Sequence, residues 1–442
     1  MFAISSGPGR AGVAVVRVSG AKSGAAIAAL TAGAPPPPRT AMLRRIVDPL
    51  TGEAIDRGLV LWFPAPHSFT GEDVAEFQVH GGRAVLAALF SCLGAIGCRP
   101  AEAGEFTLRA FRAGRIDLAE AEGLADLLAA ETPMQRRLAL KAMDGEMSAR
   151  IEAWRQGLIR ILAHVEAVID FPDEDLPGGL NALSRESLRQ LSEDIARALE
   201  RSAGAAVMRE GFTVALIGAA NVGKSSLLNK LTGSEVAIVS PIAGTTRDVL
   251  TVRLDLEGYL IELADMAGLR EAGDAIEAEG VRRAKGRAEL ADLRLLIVEP
   301  ANPSPPAEAK SLLKPQDLLV LNKADLLGAE DARAMAKALG PGAILASAKS
   351  DDGHAALLHA LAAKVKALAG SVSDVSFARA RQVQALQETQ GALGRALSAG
   401  EGQDELLAED LRLAARALGR ISGRVDVEDL LDVIFSEFCI GK

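Results

Sequence analysis

The sequence predicts a multidomain α/β protein: an α+β N-terminal domain, then a discontinuous α-helical domain into which a doubly wound module is inserted. Three observations carry this. Period-two alternation marks strands in the first ~115 residues, apolar runs alternate with helical stretches between 210 and 372, and helical periodicity stands on both sides of that middle segment. The segments are 1–117, 118–209, 210–372 and 373–442, and the second and fourth are expected to pack together.

In the first segment Ala14, Val16 and Val18, and again Ala75, Phe77 and Val79, mark one face of a strand, and Leu59 to Phe63 is a continuous apolar run. Arg17, Glu76, Gln78 and His80 then point the other way, where the plain expectation is solvent. Pro35 to Pro38 breaks the segment as an exposed, stiff loop. Helical spacing begins near Leu118. Met143, Met147, Ile151, Trp154, Leu158, Ile161, Val165 and Val168 form one stripe, a pattern that belongs to a core and not to a cofactor site. Phe171-Pro172, the acidic 173–175 and Pro177-Gly178-Gly179 end it, and Leu188, Leu191, Ile195 and Leu199 resume the spacing. The same period returns in Val383 to Leu397, Leu406 to Ile421 and Val427 to Phe435.

With 442 residues, 49% of them hydrophobic, every segment can bury a core, which excludes intrinsic disorder. Cys92, Cys98 and Cys439 form neither a CxxC pair nor a disulfide-dense pattern, which favours a reducing, cytoplasmic location. No basic flank leads into a long apolar segment, so neither a signal peptide nor a membrane span is expected. A net charge of −9 confines nucleic-acid contact to local patches. Arg136, Arg137, Lys141 and Arg150 are one candidate patch, to be weighed against an ordinary solvated helix face. One Tyr and two Trp argue against a base-stacking platform.

The stretch GAANVGKSS, from Gly218 to Ser226, fits G-x-x-x-x-G-K-[ST] and sits between the strand-like Phe212 to Ile217 and the helix-like Lys224 to Leu231. That is the setting a phosphate loop needs. Asn221, Val222, Gly223, Lys224, Ser225 and Ser226 are its candidate binding residues. Backbone N–H groups and the helix N-terminus cradle phosphate oxygens, Lys224 reaches the β- and γ-phosphates, and the Ser225 hydroxyl suits Mg²⁺. Asp265-Met266-Ala267-Gly268 follows the apolar run 260–264; Asp265 can hold Mg²⁺ through water and the Gly268 N–H can meet the γ-phosphate. Asn322-Lys323-Ala324-Asp325 follows 317–321. A carboxylate at Asp325 is acceptor-only and matches the two donors on the N1–N2 edge of guanine, so GTP is predicted over ATP. Ser347-Ala348-Lys349, after 342–346, completes the base pocket with a backbone N–H for O6. Between the first two motifs, Gly244-Thr245-Thr246 offers the Thr246 hydroxyl as a second Mg²⁺ ligand, in a loop that orders with GTP and relaxes after hydrolysis. Together with 293–298 these runs make a Ras-like phosphate-loop GTPase whose ligand sits at the carboxyl ends of its strands.

Two features depart from many such GTPases. Leu269 stands where a water-orienting glutamine is common, and the sequence alone assigns no arginine finger. Asn221 either holds a monovalent cation against the phosphates through its side-chain carbonyl or merely fits the turn.

The loop NVGKSS, the segment SPIAGTTRD (240–248), NKAD, SFTGEDVAEFQVHGG (68–82), GEFTLRAFRAGRIDLAEAE (104–122) and the terminal Phe438-Cys439-Ile440-Gly441-Lys442 resemble the MnmE (TrmE) family over the whole chain. The resemblance implies a potassium-dependent GTPase that modifies C5 of the wobble uridine of certain tRNAs. It implies a folate-binding N-terminal domain that dimerises, with Arg17, Glu76, Arg115 and Lys442 at the positions that hold 5-formyl- or methylene-tetrahydrofolate. Potassium falls to Asn221, Ser240, Ile242 and Thr245, with Ser240 and Thr245 also facing the nucleotide, and Glu277 matches the glutamate that positions the attacking water. The partners implied are a second copy, an FAD-containing MnmG-type protein in a heterotetramer, and tRNA, with no membrane. Met266 replaces the threonine of the family's DTAG, a side chain that Mg²⁺ does not require. Cys439 is either a small buried hydrophobe or, on the resemblance, a thiol that takes part in the uridine chemistry. Two other readings compete. One is a ribosome-assembly or RNA-binding regulatory GTPase without covalent chemistry, which would want a basic extension that this acidic chain lacks; the other is a folate-dependent aminomethyl-transfer protein with a regulatory GTPase attached.

Overall fold

The computed structural model describes the chain except residues 8, 172–181, 239–250, 266–284, 341, 352, 371–376, 401, 426–430, 432–433, 437, 439 and 442. It divides into two compact units, one of Met1–Ala125, Ala142–Arg185 and Ala392–Lys442, the other of Asp126–Lys141 and Glu186–Gly391.

In the first unit β1 (Phe2–Ile4), β2 (Ala14–Ser19), β3 (Met42–Val47), β4 (Ala54–Phe63) and β5 (Val74–Val79) form an antiparallel sheet in the order β1-β2-β5-β4-β3. The period-two pattern turns Val16, Val18, Ala75, Phe77 and Val79 into a core completed by Ile27 and Leu30 of α1 (Ser23–Thr31) and Leu89 and Leu93 of α2 (Arg83–Ala95). Pairing of β2 with β5 sets Arg17 directly opposite Glu76 on the other face. The proline tract is only partly an exposed loop: Pro36 is buried, which an apolar ring without an N–H to satisfy permits.

Helices α3 (Glu105–Arg112), α4 (Leu118–Ala129), α5 (Pro133–Met143) and α6 (Glu146–Asp170) follow. The stripe expected from Met143 onward is broken. Helix α5 ends at Met143, and Gly145, at φ 84°, starts α6 in a conformation that glycine adopts without strain. From Met147 to Val165 the stripe holds and is buried along α6. Helix Asp404–Ser422 packs along it with Leu407, Leu411 and Leu418 inward, and Arg412 to Glu166 (2.9 Å) and Arg424 to Glu152 (3.3 Å) pair at its margins.

The second unit contains most of α7 (Ala182–Glu210) and a seven-stranded sheet in the order β12-β11-β10-β6-β9-β8-β7. The strands are β6 (Phe212–Ile217), β7 (Ala237–Ile238), β8 (Thr251–Leu256), β9 (Tyr259–Asp265), β10 (Leu293–Val298), β11 (Leu318–Leu321) and β12 (Ile344–Leu345). From β12 to β9 they run parallel, while β8 and β7 are antiparallel additions. Strand β12 is shorter than its apolar run suggests. Strand β10 carries Arg294 fully buried, its backbone N–H on Asp317 Oδ1 (2.8 Å) and its guanidinium 3.6 Å from that carboxylate. Among the described residues, no helix is long and apolar enough to cross a membrane.

Candidate nucleotide-binding site

Strand β6 ends at Gly218, where φ is 148° and a Cβ would meet Ile297 O at 2.3 Å; only glycine lets the loop leave the sheet so close to β10. The turn closes at Gly223, φ 92°, where a Cβ would lie 2.4 Å from Asn322 Nδ2. Helix α8 (Lys224–Thr232) begins there without a side-chain cap, so its first-turn N–H groups are available to an anion. Lys224 is nearly buried and its Nζ donates to Gly218 O (3.0 Å) and Ala219 O (2.9 Å) across the loop. Ser225 Oγ donates to Asp265 Oδ2 at 2.5 Å, which joins the phosphate loop to the end of β9. Asp265 Oδ1 is shut off from solvent and has no hydrogen-bond partner among the described residues.

The base end is built from β11 and β12. Asn322 Nδ2 donates to Val222 O (2.8 Å), so Val222 contributes a carbonyl while its side chain is core. Ser347 Oγ donates to Asp325 Oδ1 (2.6 Å) and accepts from Lys349 N and Ser350 N (both 3.1 Å), which orients the carboxylate. A cavity of about 650 Å³ connects the two ends: Asn221, Gly223, Lys224, Ser225 and Ser226 line one, and Asn322, Lys323, Asp325, Ala348 and Lys349 the other. Ser240, Ile242, Thr245, Thr246, Gly268 and Glu277 lie outside the described residues.

Two residues, one lining this cavity and one behind it, escape sequence reasoning. Leu326 is 66% exposed and lines the base end. Glu299, the residue after β10, forms an ion pair with Lys323. The available signal was a carboxylate directly after a buried run, at the same edge as the other motifs.

In the first unit Arg17 and Glu76 pair at 2.8 Å with only 24% and 15% of their side chains exposed, so this face is not the solvated one expected. The Arg17 guanidinium carbon stands 5.8 Å from the centre of the Phe106 ring of α3. Arg115 is exposed after α3, and among the described residues no hydrogen bond or ion pair joins it to that pair. Ile440 and Gly441 are held beside β1: Ala103 bridges Ile440, Ser5 Oγ donates to Gly441 O (3.1 Å), and a Cβ at Gly441 would meet Ile4 O at 2.0 Å. Their neighbours Cys439 and Lys442 lie outside the described residues. The two N-terminal motifs, 68–82 and 104–122, meet each other through Arg109 and Glu72. Arg109 donates to Glu72 (2.7 Å) and Glu105 (2.8 Å), and Arg99 donates to Glu105 (2.6 Å). Burial would raise the Glu105 carboxyl, but hydrogen bonds from Arg99, the Glu102 N–H and Arg109 override it and hold its pKa at about 2. Of the candidate basic patch, Arg136 and Arg137 are exposed, while the Arg150 guanidinium lies over Trp154 at 4.8 Å.

A parallel sheet whose strand ends gather GxxxxGKS, a buried aspartate, NKAD and a serine-oriented base pocket defines a phosphate-loop GTPase. The family descriptions that match are GTP-binding protein TrmE N-terminus, over residues 1–115, and MnmE helical domain, over 118–439. The tRNA modification GTPase MnmE of Parvibaculum lavamentivorans is 53% identical over 445 residues, covering 100% of this chain and 99% of its own. That of Paramagnetospirillum magneticum is 50% identical over 443 residues, with 100% and 99% covered. The mitochondrial 5-taurinomethyluridine-[tRNA] synthase subunit GTPB3 of Danio rerio is 46% identical over 466 residues, with 100% and 93% covered. Among solved structures, the G domain of T. maritima FeoB is 24% identical, covering 35% of this chain and 99% of its own at a TM-score of 0.26. The chain belongs to the MnmE family of tRNA modification GTPases.

Proposed function

We propose that this GTPase works in a complex that modifies C5 of the wobble uridine of certain tRNAs, with a one-carbon unit from a tetrahydrofolate and hydrolysis that depends on potassium. The observation that carries the reading is one cavity with Lys224 and Ser225 at one end and Asp325 at the other, in a chain that MnmE relatives match from end to end.

In this reading Lys224 exchanges its loop carbonyls for β- and γ-phosphate oxygens, and Asp325, held by Ser347, accepts from guanine N1 and N2. The adjacent Ser225 hydroxyl and Asp265 carboxylate, with Asp265 Oδ1 shielded and unpartnered among the described residues, are a hard-oxygen set that fits Mg²⁺, and Thr246 would join it. When bound, Mg²⁺ neutralises phosphate charge. Asn221, at φ 65° on the cavity wall, would hold potassium with Ser240, Ile242 and Thr245; the ion supplies the positive charge an arginine finger gives elsewhere. Glu277 orients the attacking water, which Leu269 cannot do. In the first unit, the half-buried Arg17–Glu76 pair would grip the folate, with Arg115 and Lys442. Cys439 would sit beside the one-carbon chemistry. We assign the segments 1–117, 118–209, 210–372 and 373–442 to the folate-binding, first helical, GTPase and second helical parts. The chain would act in the cytoplasm as a homodimer with an FAD-containing MnmG-type partner.

Two experiments test this. GTP hydrolysis should be fast in K⁺ and slow in Na⁺, and equal rates remove the cation mechanism. In tRNA from cells lacking the gene, the C5 modification of wobble uridine should be absent and restored by the intact copy alone. Unchanged modification would leave the GTPase and turn attention to a ribosome-assembly role.

A further inference from the structure

We infer that Glu299 is a positioning residue for the nucleotide: its carboxylate holds the Lys323 ammonium against the phosphate loop and thereby sets how long a guanine nucleotide stays bound. This rests on nucleotide binding alone, and neither the cation nor the folate reading enters it.

Lys323 has φ 58° and Asn221 has φ 65°, both in the left-handed region that non-glycine residues leave unless something holds them. What holds them is shared. The Lys323 Nζ donates to Asn221 O at 2.7 Å and also to Glu299 Oε2, so one ammonium joins two residues of unfavourable backbone to one carboxylate. Next to it, Asn322 Nδ2 donates to Val222 O. Two successive carbonyls of the phosphate loop are therefore fastened by two successive side chains at the end of β11. Glu299 is itself fixed: β10 before it is buried along its length, and Asn302 N donates to Glu299 O (3.1 Å) in the turn that follows.

Glu299 does not line the cavity, whereas Lys323 does, between Asn322 and Asp325. Its effect on a ligand must pass through Lys323. With the carboxylate removed, the ammonium keeps one neutral acceptor in place of a charged one. The lysine stem and the Asn221 carbonyl then lose their common anchor, and the loop opens more readily around a bound nucleotide. Base choice stays with Asp325 and Ser347, which Glu299 does not touch.

The test is release of a fluorescent GDP analogue from the full chain, chased with excess GDP, in Glu299→Ala, Glu299→Asp, Lys323→Met and the Glu299→Ala/Lys323→Met double variant. Release should be about tenfold faster in Glu299→Ala and partly restored in Glu299→Asp. The double variant should be no faster than Lys323→Met, and the preference for guanine over xanthine nucleotides should be unchanged in Glu299→Ala. Release within about twofold of wild type in Glu299→Ala, or a full additional effect on top of Lys323→Met, overturns the inference. If Glu299→Ala does not fold, Glu299→Gln, which keeps the volume and loses the charge, is read by the same criteria. Failure of wild type to bind the analogue would instead strike the nucleotide reading.

Discussion

The two sheets of this protein gather polar residues by different means. In the parallel sheet, chain direction repeats from strand to strand, so every run ends at the same edge. Gly218, Asp265, Glu299, Asn322 and Ser347 each follow or close one of five parallel strands, and they meet although 129 residues separate the first from the last, 347 less 218. In the antiparallel sheet, direction alternates and no edge collects anything. Arg17 and Glu76 meet sideways, on a face, because β2 pairs with β5 in one particular register. A site of the first kind follows from topology; a site of the second kind hangs on register, and a slip of one residue in β2 against β5 would turn Arg17 to the core face, away from Glu76.

The parallel side of that contrast is broken most sharply at Asp325. The carboxylate accepts from Ser347 Oγ and is the only acidic side chain lining the cavity among the described residues. Asp325→Asn turns one acceptor toward guanine into a donor. Two charge-assisted hydrogen bonds are lost, each worth roughly 1.5–3 kcal/mol, so GTP affinity should fall by about 10²–10⁴-fold while xanthosine triphosphate gains. Competition binding of the two nucleotides measures this, and unchanged GTP affinity would mean that the end of β11 does not read the base.

The antiparallel side is sharpened at Arg17. Arg17→Ala should weaken tetrahydrofolate binding by about tenfold to a hundredfold, in line with a partly shielded charge contact, and leave GDP binding as it was. Titration calorimetry with 5-formyl-tetrahydrofolate separates the cases. Undiminished affinity would reduce the Arg17–Glu76 pair to a structural contact beside Phe106.

The same contrast explains what the sequence could tell. The phosphate loop, NKAD and the serine after β12 were legible because motif spacing and a strand-then-helix context suffice when topology does the gathering. Glu299 is equally placed but belongs to no recurrent motif, and its partner Lys323 lies 24 residues on, 323 less 299. In the N-terminal unit the strands could be located, but the pairing of Arg17 with Glu76 could not, since register is a tertiary fact. Nor could the Arg99–Glu105–Arg109–Glu72 cluster: Glu72 lies in one motif, Glu105 and Arg109 in another, Arg99 in neither, and only the tertiary fold joins them. The break at Gly145 was lost for another reason: a single glycine barely disturbs a 3.6-residue period, and only its positive φ ends one helix and starts the next.

That cluster supplies the smallest expected effect and asks whether the antiparallel unit is also held by its polar face. Glu105 is 8% exposed and titrates at about 2 in the folded chain against 4.5 ordinarily. A carboxyl depressed on folding contributes stability that is complete above its unfolded pKa and is lost as pH falls toward the folded one, so the window runs from about 4.5 down to about 2. The whole shift sets an upper bound of about 3 kcal/mol. A glutamine Oε1 still accepts from Arg99 and Arg109, while its amide nitrogen replaces the oxygen that accepts from Arg99 Nη1 and Glu102 N, so Glu105→Gln should cost on the order of 1–2 kcal/mol at neutral pH. The difference between the two proteins in urea midpoint, followed by circular dichroism, should shrink as pH falls through the window, because the wild-type carboxyl becomes neutral as well. A difference that stays constant from pH 7 to pH 2 would mean that Glu105 holds α3 by shape, and that charge on this sheet's side of the molecule is confined to the Arg17–Glu76 face.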